Sequence, residues 1–159
     1  MKKLTRIAQF AFLSPYKTEH EVLDVGAGAS PPYKKLFPNR VRVDIDEAMH
    51  PDIVADVVDL PFPDGSYGTV LCLEVFEHLR EPQKAADELH RILRKGGLLI
   101  VTTRFLYPLH NVPGDYWRYT PYILREIFKN WTIEKLEYES EAFSAIGILL
   151  QRIGLQSDL

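Results

Sequence analysis

The sequence predicts an α/β chain built on a doubly wound, mostly parallel sheet with helices on both faces. Three observations predict it. Short β-branched runs alternate with segments of helical period, the pattern that encodes strands joined by helical crossovers. The run at residues 22–25, VLDV, is apolar nearly throughout, as a strand buried on both faces is. It leads into a turn carrying Gly26 and Gly28, where the lack of a Cβ lets the backbone approach a ligand.

The elements follow in order. Residues 1–13 place basic residues ahead of an apolar patch, but Arg6 and Gln9 interrupt it and no clean small-residue cleavage site follows. The segment reads as an amphipathic helix with Leu4, Ile7, Ala8 and Ala11 on one face. Strands are predicted at 21–25, 41–44, 53–55, 69–73, 98–103 and 132–138. A short helix at 31–37 starts with Ser30 as a side-chain cap and Pro31 already fixed at helical φ. A longer helix at 82–93 turns Ala85, Leu89, Ile92 and Leu93 inward and is stopped by Gly96 and Gly97. A third spans 121–130, capped by Thr120. The segment AFSAIGILLQRIGL that follows is apolar enough for helix, so the sheet is expected to be truncated at its C-terminal edge. An uncovered edge would offer a place for a homodimer.

Composition narrows the class. With 159 residues, 46% hydrophobic and 26% charged, the chain can bury one core and is expected to form a single domain over 1–159. A net charge of −3 gives no basic footprint for nucleic acid. AFSAIGILL is far shorter than the ~20 apolar residues of a membrane span. The one cysteine, Cys72, cannot form an internal disulfide and lies within TVLCLEV as a small buried hydrophobe. These features lead to an expectation of a cytoplasmic protein.

The glycine turn does not meet the GxGxxG fingerprint, because the third residue after Gly28 is Pro31, which disfavours a nicotinamide oxidoreductase. The run VRVDID ends in carboxylates about 20 residues on, where doubly wound folds place the acid that grips ribose hydroxyls; Asp44 is the first candidate and Asp46 the lesser one. Taken in series, residues 21–128 resemble the class I S-adenosylmethionine-dependent methyltransferases, specifically the small-molecule type 11 family. VLDVGAGAS is similar to the family's D-x-G-x-G motif, with Asp24, Gly26 and Gly28 in the matching places and Ser30 where a third glycine is frequent. ADVVDLPFPDGSYGTVLCLEVFEHL resembles its adenine loop and fourth strand, and LHRILRKGGLLIVTT the helix, double-glycine turn and fifth strand. One departure is Tyr67 and Gly68, where the family commonly has Phe-Asp.

The resemblance implies a Rossmann-like methyltransferase fold, S-adenosylmethionine as cofactor and methyl transfer to a small molecule. It implies cofactor contacts from Asp24, Gly26, Ala27, Gly28, Asp44, Ile45, Asp56, Val57, Leu73 and Glu74, with Leu60 and Pro61 walling the adenine. Asp24 would order the glycine loop or reach the methionine amino group; the plainer reading is a turn-stabilising Asp.

The acceptor side is expected in the loop 104–120, RFLYPLHNVPGDYWRYT, after the fifth strand. Its PGDYWRYTP core resembles a segment of some type 11 enzymes encoded among polysaccharide or natural-product genes, which suggests a sugar-derived or other polar acceptor. His110 is a candidate general base and Tyr116 its catalytic companion. Asp115 and Arg118 form either a structural ion pair or a substrate contact. Tyr116, Trp117 and Tyr119 line a pocket or cover core, with core expected for at least one. Glu77 and His78 are a second candidate pair. No metal is expected. The rival reading is a non-catalytic S-adenosylmethionine-binding module serving as a partner or regulatory subunit.

Overall fold

The computed structural model describes residues 4–29, 31–138 and 145–152. Five strands run parallel: β1 (Val22–Val25), β2 (Arg40–Asp44), β3 (Ile53–Val54), β4 (Tyr67–Leu73) and β5 (Leu93–Arg104). β6 (Trp131–Tyr138) and β7 (Ala145–Arg152) complete a seven-stranded sheet of order β3-β2-β1-β4-β5-β7-β6, in which β7 lies antiparallel to both neighbours.

Alternation along the strands divides the core in two. Leu23, Val25, Val43, Val70, Cys72, Leu99 and Val101 face one side, where α2 (Pro82–Ile92) and α3 (Pro121–Ile127) bring Ala85, Leu89, Ile92 and Leu124. Val22, Leu71, Leu73 and Ile100 face the other, under Leu13 of α1 (Leu4–Leu13) and under Tyr33, Leu36 and Phe37. Helices on both faces are thus present, although the second layer is thinner. Cys72 is buried between them, and burial pushes its thiol up. No described helix is long and apolar enough to cross a membrane.

Several elements differ from expectation. Residues 32–36 form successive turns, not a helix, closed by Lys34 N–H to Pro31 and Leu36 N–H to Tyr33. Pro38 bars helical φ/ψ at Phe37, and so short a segment gains more by burying Tyr33, Leu36 and Phe37. Ser30, the expected cap, lies outside the described residues. α1 turns Leu13, Phe12 and Gln9 toward the sheet and leaves Ile7 and Ala11 exposed; Leu4's side chain lies outside the description. α2 stops at Ile92, before the glycines, because Leu93 is captured beside Tyr67 as the start of β5. The place of Gly68 is explained by Arg94, whose guanidinium occupies the space a Cβ would need. Residues 145–152, read as helix, instead form β7, so the strand expected to be missing is present. The edge strand β6 carries Glu134, Lys135 and Glu137, charges that discourage edge pairing.

Asp24 ties the second layer to the sheet. It is fully buried; the Tyr33 hydroxyl donates to its Oδ1 at 3.0 Å, and Arg40 Nε lies 3.1 Å from its Oδ2. Burial outweighs both partners and raises the carboxyl to about 7. An unfolded Asp titrates near ~3.9, so the native state holds the extra proton between these values. The resulting stability is fully present below pH ~4 and is lost as pH rises through about 7. Urea unfolding across this window should show a shallower decline in Asp24→Asn than in the parent; equal slopes would refute the assignment.

Candidate active site

Chain order reverses between β1 and β4, and the crevice at their carboxyl ends is where open α/β sheets bind ligands. A cavity of about 620 Å³ lies there, a size suited to a small molecule. Val25, Gly26 and Gly28 line its floor; Asp44, Ile45 and Asp56 line one side, and Glu74, Val75, His78 and Tyr116 the other.

Two glycines play different parts. Gly26 has φ +67°, donates its N–H to Val43 at 2.8 Å, and leaves no room for a Cβ, which would overlap Val75 Cγ2. Gly28 has φ +56°, and a Cβ there would meet open space. Its N–H donates to Asp44 Oδ2 at 3.1 Å, while Asp44 Oδ1 accepts from Asp46 N–H at 3.0 Å. Asp44 is therefore fixed by two backbone donors, and each oxygen retains acceptor capacity. Asp56 accepts from Val58 N–H at 3.2 Å. Ile45 is 68% exposed on the cavity wall, an aliphatic surface for a flat ring. Val57 and Val58 also line the wall.

Asp24, Ala27 and Leu73 are buried away from the lining residues, and Leu60 turns into the core, its N–H donating to Glu88 at 2.8 Å. Pro61 is exposed and also outside the lining. Glu74 lines the cavity with a left-handed backbone, φ +61°, a conformation that costs a non-glycine residue energy and concentrates at functional sites. Its carboxylate accepts from Thr102 Oγ1 at 2.7 Å and pairs with Arg104, while burial raises its pKa.

The loop 104–120 is tied down along its length. Tyr116 and Trp117 N–H groups donate to the Glu77 carbonyl at 2.8 and 3.1 Å, Trp117 Nε1 to Leu79 O at 2.7 Å, and the Tyr119 hydroxyl to Phe76 O at 2.9 Å. Tyr119 is core, whereas Tyr116 and Trp117 are partly exposed. Asp115 and Arg118 pair through two 2.7 Å contacts, and Arg118 also donates to the carbonyls of Tyr107, Pro108 and Trp117. That is the structural role. Arg118 holds the Asp115 carboxyl well below the usual range. His110 sits behind the wall, edge-on to His78 at 4.9 Å and to Tyr107 at 5.1 Å. Sequence reasoning missed Met49, Arg80 and Asn111, which line the cavity. Met49 is placed by a short 3-10 turn whose Asp46 cap is a local signal, while Arg80, over the Tyr116 ring at 5.0 Å, depends on a long-range contact.

Residues 23–101 match the methyltransferase-domain family. The chain belongs to the class I S-adenosylmethionine-dependent methyltransferases. The chain is 26% identical over 164 residues to the 2-methyl-6-phytyl-1,4-hydroquinone methyltransferase of a Synechocystis species, covering 90% of the chain and 51% of the relative. It is 32% identical over 126 residues to the demethylmenaquinone methyltransferase of Paenarthrobacter aurescens, covering 70% and 48%. The chain thus spans about half the length of the relatives it matches. The 1,6-didemethyltoxoflavin-N1-methyltransferase of Burkholderia thailandensis, solved with S-adenosylhomocysteine, superposes with TM-score 0.74 at 14% identity, covering 94% of this chain and 78% of that one. The cyclase SpnF superposes with TM-score 0.73 at 15% identity, covering 92% and 80%. At such identity these structures share the fold, and fold alone fixes no chemistry.

Alanine at either glycine of the loop meets left-handed strain of about 1–2 kcal/mol. Gly26→Ala adds the overlap with Val75, so its thermal midpoint should fall further than that of Gly28→Ala. Val75→Ala in the same chain should recover part of the loss. A midpoint for Gly26→Ala at or above that of Gly28→Ala would contradict the packing.

Proposed function

We propose that this methyltransferase chain binds S-adenosylmethionine in the cavity and transfers its methyl group to a small-molecule acceptor. The observation that carries the reading is the convergence of Gly28, Asp44 and Asp56 around one 620 Å³ cavity, with a carboxylate already fixed at the tip of β2. Asp44 would accept from the ribose hydroxyls, Asp56 from the adenine amine, and Ile45 and Val57 would pack against the ring. Glu74 and the glycine loop would hold the methionine end. Asp24 contributes from below by fixing β1, and Ala27 and Leu73 by packing.

When bound, the cofactor supplies an electrophilic methyl carbon, so what the chain must chiefly do is align the acceptor with it. Tyr116, Arg80 and Asn111 line the part of the cavity formed by the later loop, and His110 stands behind His78, where an acceptor's proton could be taken. The named relatives act on hydroquinone, menaquinone and toxoflavin compounds. A ring bearing polar groups, sugar-derived or aromatic, suits a wall that combines Tyr116 with charged and amide side chains.

Asp44→Ala should weaken S-adenosylmethionine and S-adenosylhomocysteine alike by about 2 kcal/mol, or ~30-fold, from lost charged hydrogen bonds. Calorimetry on the folded variant checks this, and unchanged affinity would remove Asp44 from the site.

Tyr116→Ala and His110→Ala should lower turnover on a panel of hydroxylated and ring-bearing metabolites. Their affinity for S-adenosylhomocysteine should stay within about threefold, ~0.7 kcal/mol. A parallel loss of affinity and turnover would make the loop a cover for the cofactor.

A further inference from the structure

Beside the cavity, three donor groups to which no cofactor contact is assigned come together. They are the Glu77 carboxylate and the imidazoles of His78 and His110. One ligating atom from each lies within 4.8 Å of the other two. They come from separate segments, the 3-10 turn Phe76–His78 after β4 and the loop after β5, which the Glu77 carbonyl and the Tyr116 and Trp117 amides clamp together.

Glu77 is the most constrained of the three. Its side chain is fully buried, and Thr103 Oγ1 donates to Oε2 at 2.9 Å. Oε1 is buried with no hydrogen bond, and Arg104 Nε is 3.8 Å away. A buried acceptor left unmade costs about 1–3 kcal/mol, more when charged, so an orphaned carboxylate oxygen beside two imidazoles points to a cation. Arg104 is already engaged with Glu74, so two carboxylates share one guanidinium.

The His78 imidazole is oriented by the backbone. His78 Nδ1 lies 2.6 Å from the Gly114 carbonyl, which fixes the proton on Nδ1 and leaves the Nε2 lone pair free. His110 Nδ1 comes within 3.2 Å of Asp115 Oδ2 but makes no hydrogen bond, while its backbone N–H donates to the same oxygen at 2.9 Å and Arg118 holds Asp115 in turn. The carbonyl behind His78 is the kind of partner that sets tautomer and direction around a bound metal. Bonds of ~2.0–2.2 Å would bring the donors to ~3.0–3.5 Å, so the widest pair closes by up to ~1.3–1.8 Å on binding.

We propose that Glu77, His78 and His110 bind a divalent first-row transition cation, and that this ion holds an oxygen of the acceptor. Two nitrogens and one carboxylate suit Zn²⁺, Mn²⁺, Fe²⁺ or Co²⁺, and three protein ligands leave coordination positions open. His78 lines the cavity, so an open position borders the acceptor's space. The second half of the inference rests on the methyl-transfer reading; the first does not. For a hydroxyl acceptor, the ion lowers the oxygen's pKa. The oxygen then gives its proton to water and forms a bond to the methyl carbon as the carbon–sulfur bond breaks, leaving S-adenosylhomocysteine. His110 in this arrangement acts through the ion and not as a free base.

Titrating Co²⁺ into chelator-treated protein reads the site by its visible ligand-field bands, and calorimetry with Zn²⁺ gives the affinity. One equivalent per chain is expected, with His78→Ala and His110→Ala each weakening it at least ~10-fold. S-adenosylhomocysteine binding in the same samples reports the fold and the cofactor site separately. A parent protein that binds S-adenosylhomocysteine but no Co²⁺ or Zn²⁺ overturns the inference and leaves methyl transfer standing. Cation binding at full strength in both histidine variants overturns it too, since the ion would then sit elsewhere. Cation binding without S-adenosylhomocysteine binding supports the site and sinks the methyl-transfer reading. Turnover unchanged between chelated and reloaded enzyme removes the role at the acceptor.

Discussion

The close approach of Gly26 to Val75 is the constraint on which the crevice depends. β1 and β4 are neighbours in the sheet, yet their continuations leave on different routes, and the space between those routes is the cavity. Because no Cβ fits between Gly26 and Val75, the end of β1 turns directly over the end of β4. Gly26 N–H reaches Val43, which fixes the same turn to β2. The glycine loop is thereby referenced to three strands at once, and Asp44 then closes it from above through Gly28. The floor and one wall of the site are set before any ligand arrives, which lowers the ordering cost of binding.

The opposite wall is held by a different device. Carboxylates that would be expensive to bury are satisfied in part by Thr102, Thr103 and Arg104 of β5. Burial pushes the Glu77 carboxyl upward, reinforced by the neighbouring Glu74 charge. The strand end is thus an electrostatic base plate, and the loop that follows it docks back onto the same plate through the Glu77 carbonyl. Glycines build one side of the site and charges build the other.

This contrast explains what could be read in the sequence. The strands before β7 were legible from apolar or β-branched runs, and Gly26, Gly28 and Asp44 because their function depends on local backbone. The helix read at 31–37 was not, because Pro38 and the pull of Tyr33 and Phe37 into the core act against a cap signal that is only local. Residues 145–150 are an unbroken apolar run in sequence within a strand flanked by two others, and composition alone does not separate such a strand from a buried helix. The inward face of α1 and the place of Leu60 were decided by partners far along the chain, Thr102 and Glu88. The grouping of Glu77, His78 and His110 spans more than thirty residues of sequence, and only the register of β4 against β5 brings it together.

The anchoring of the loop after β5 bears on how such a site can change over generations. Its attachments run largely to main-chain carbonyls, those of Phe76, Glu77, Leu79, Tyr107 and Pro108. Main-chain acceptors survive substitution of the residues that carry them. Leu106, Leu109 and Val112, by contrast, project outward with little packing to lose. Drift at these three positions can therefore change the outer surface of the loop while the attachments beneath it stay in register, leaving Asn111, Gly114 and Tyr116 against the cavity.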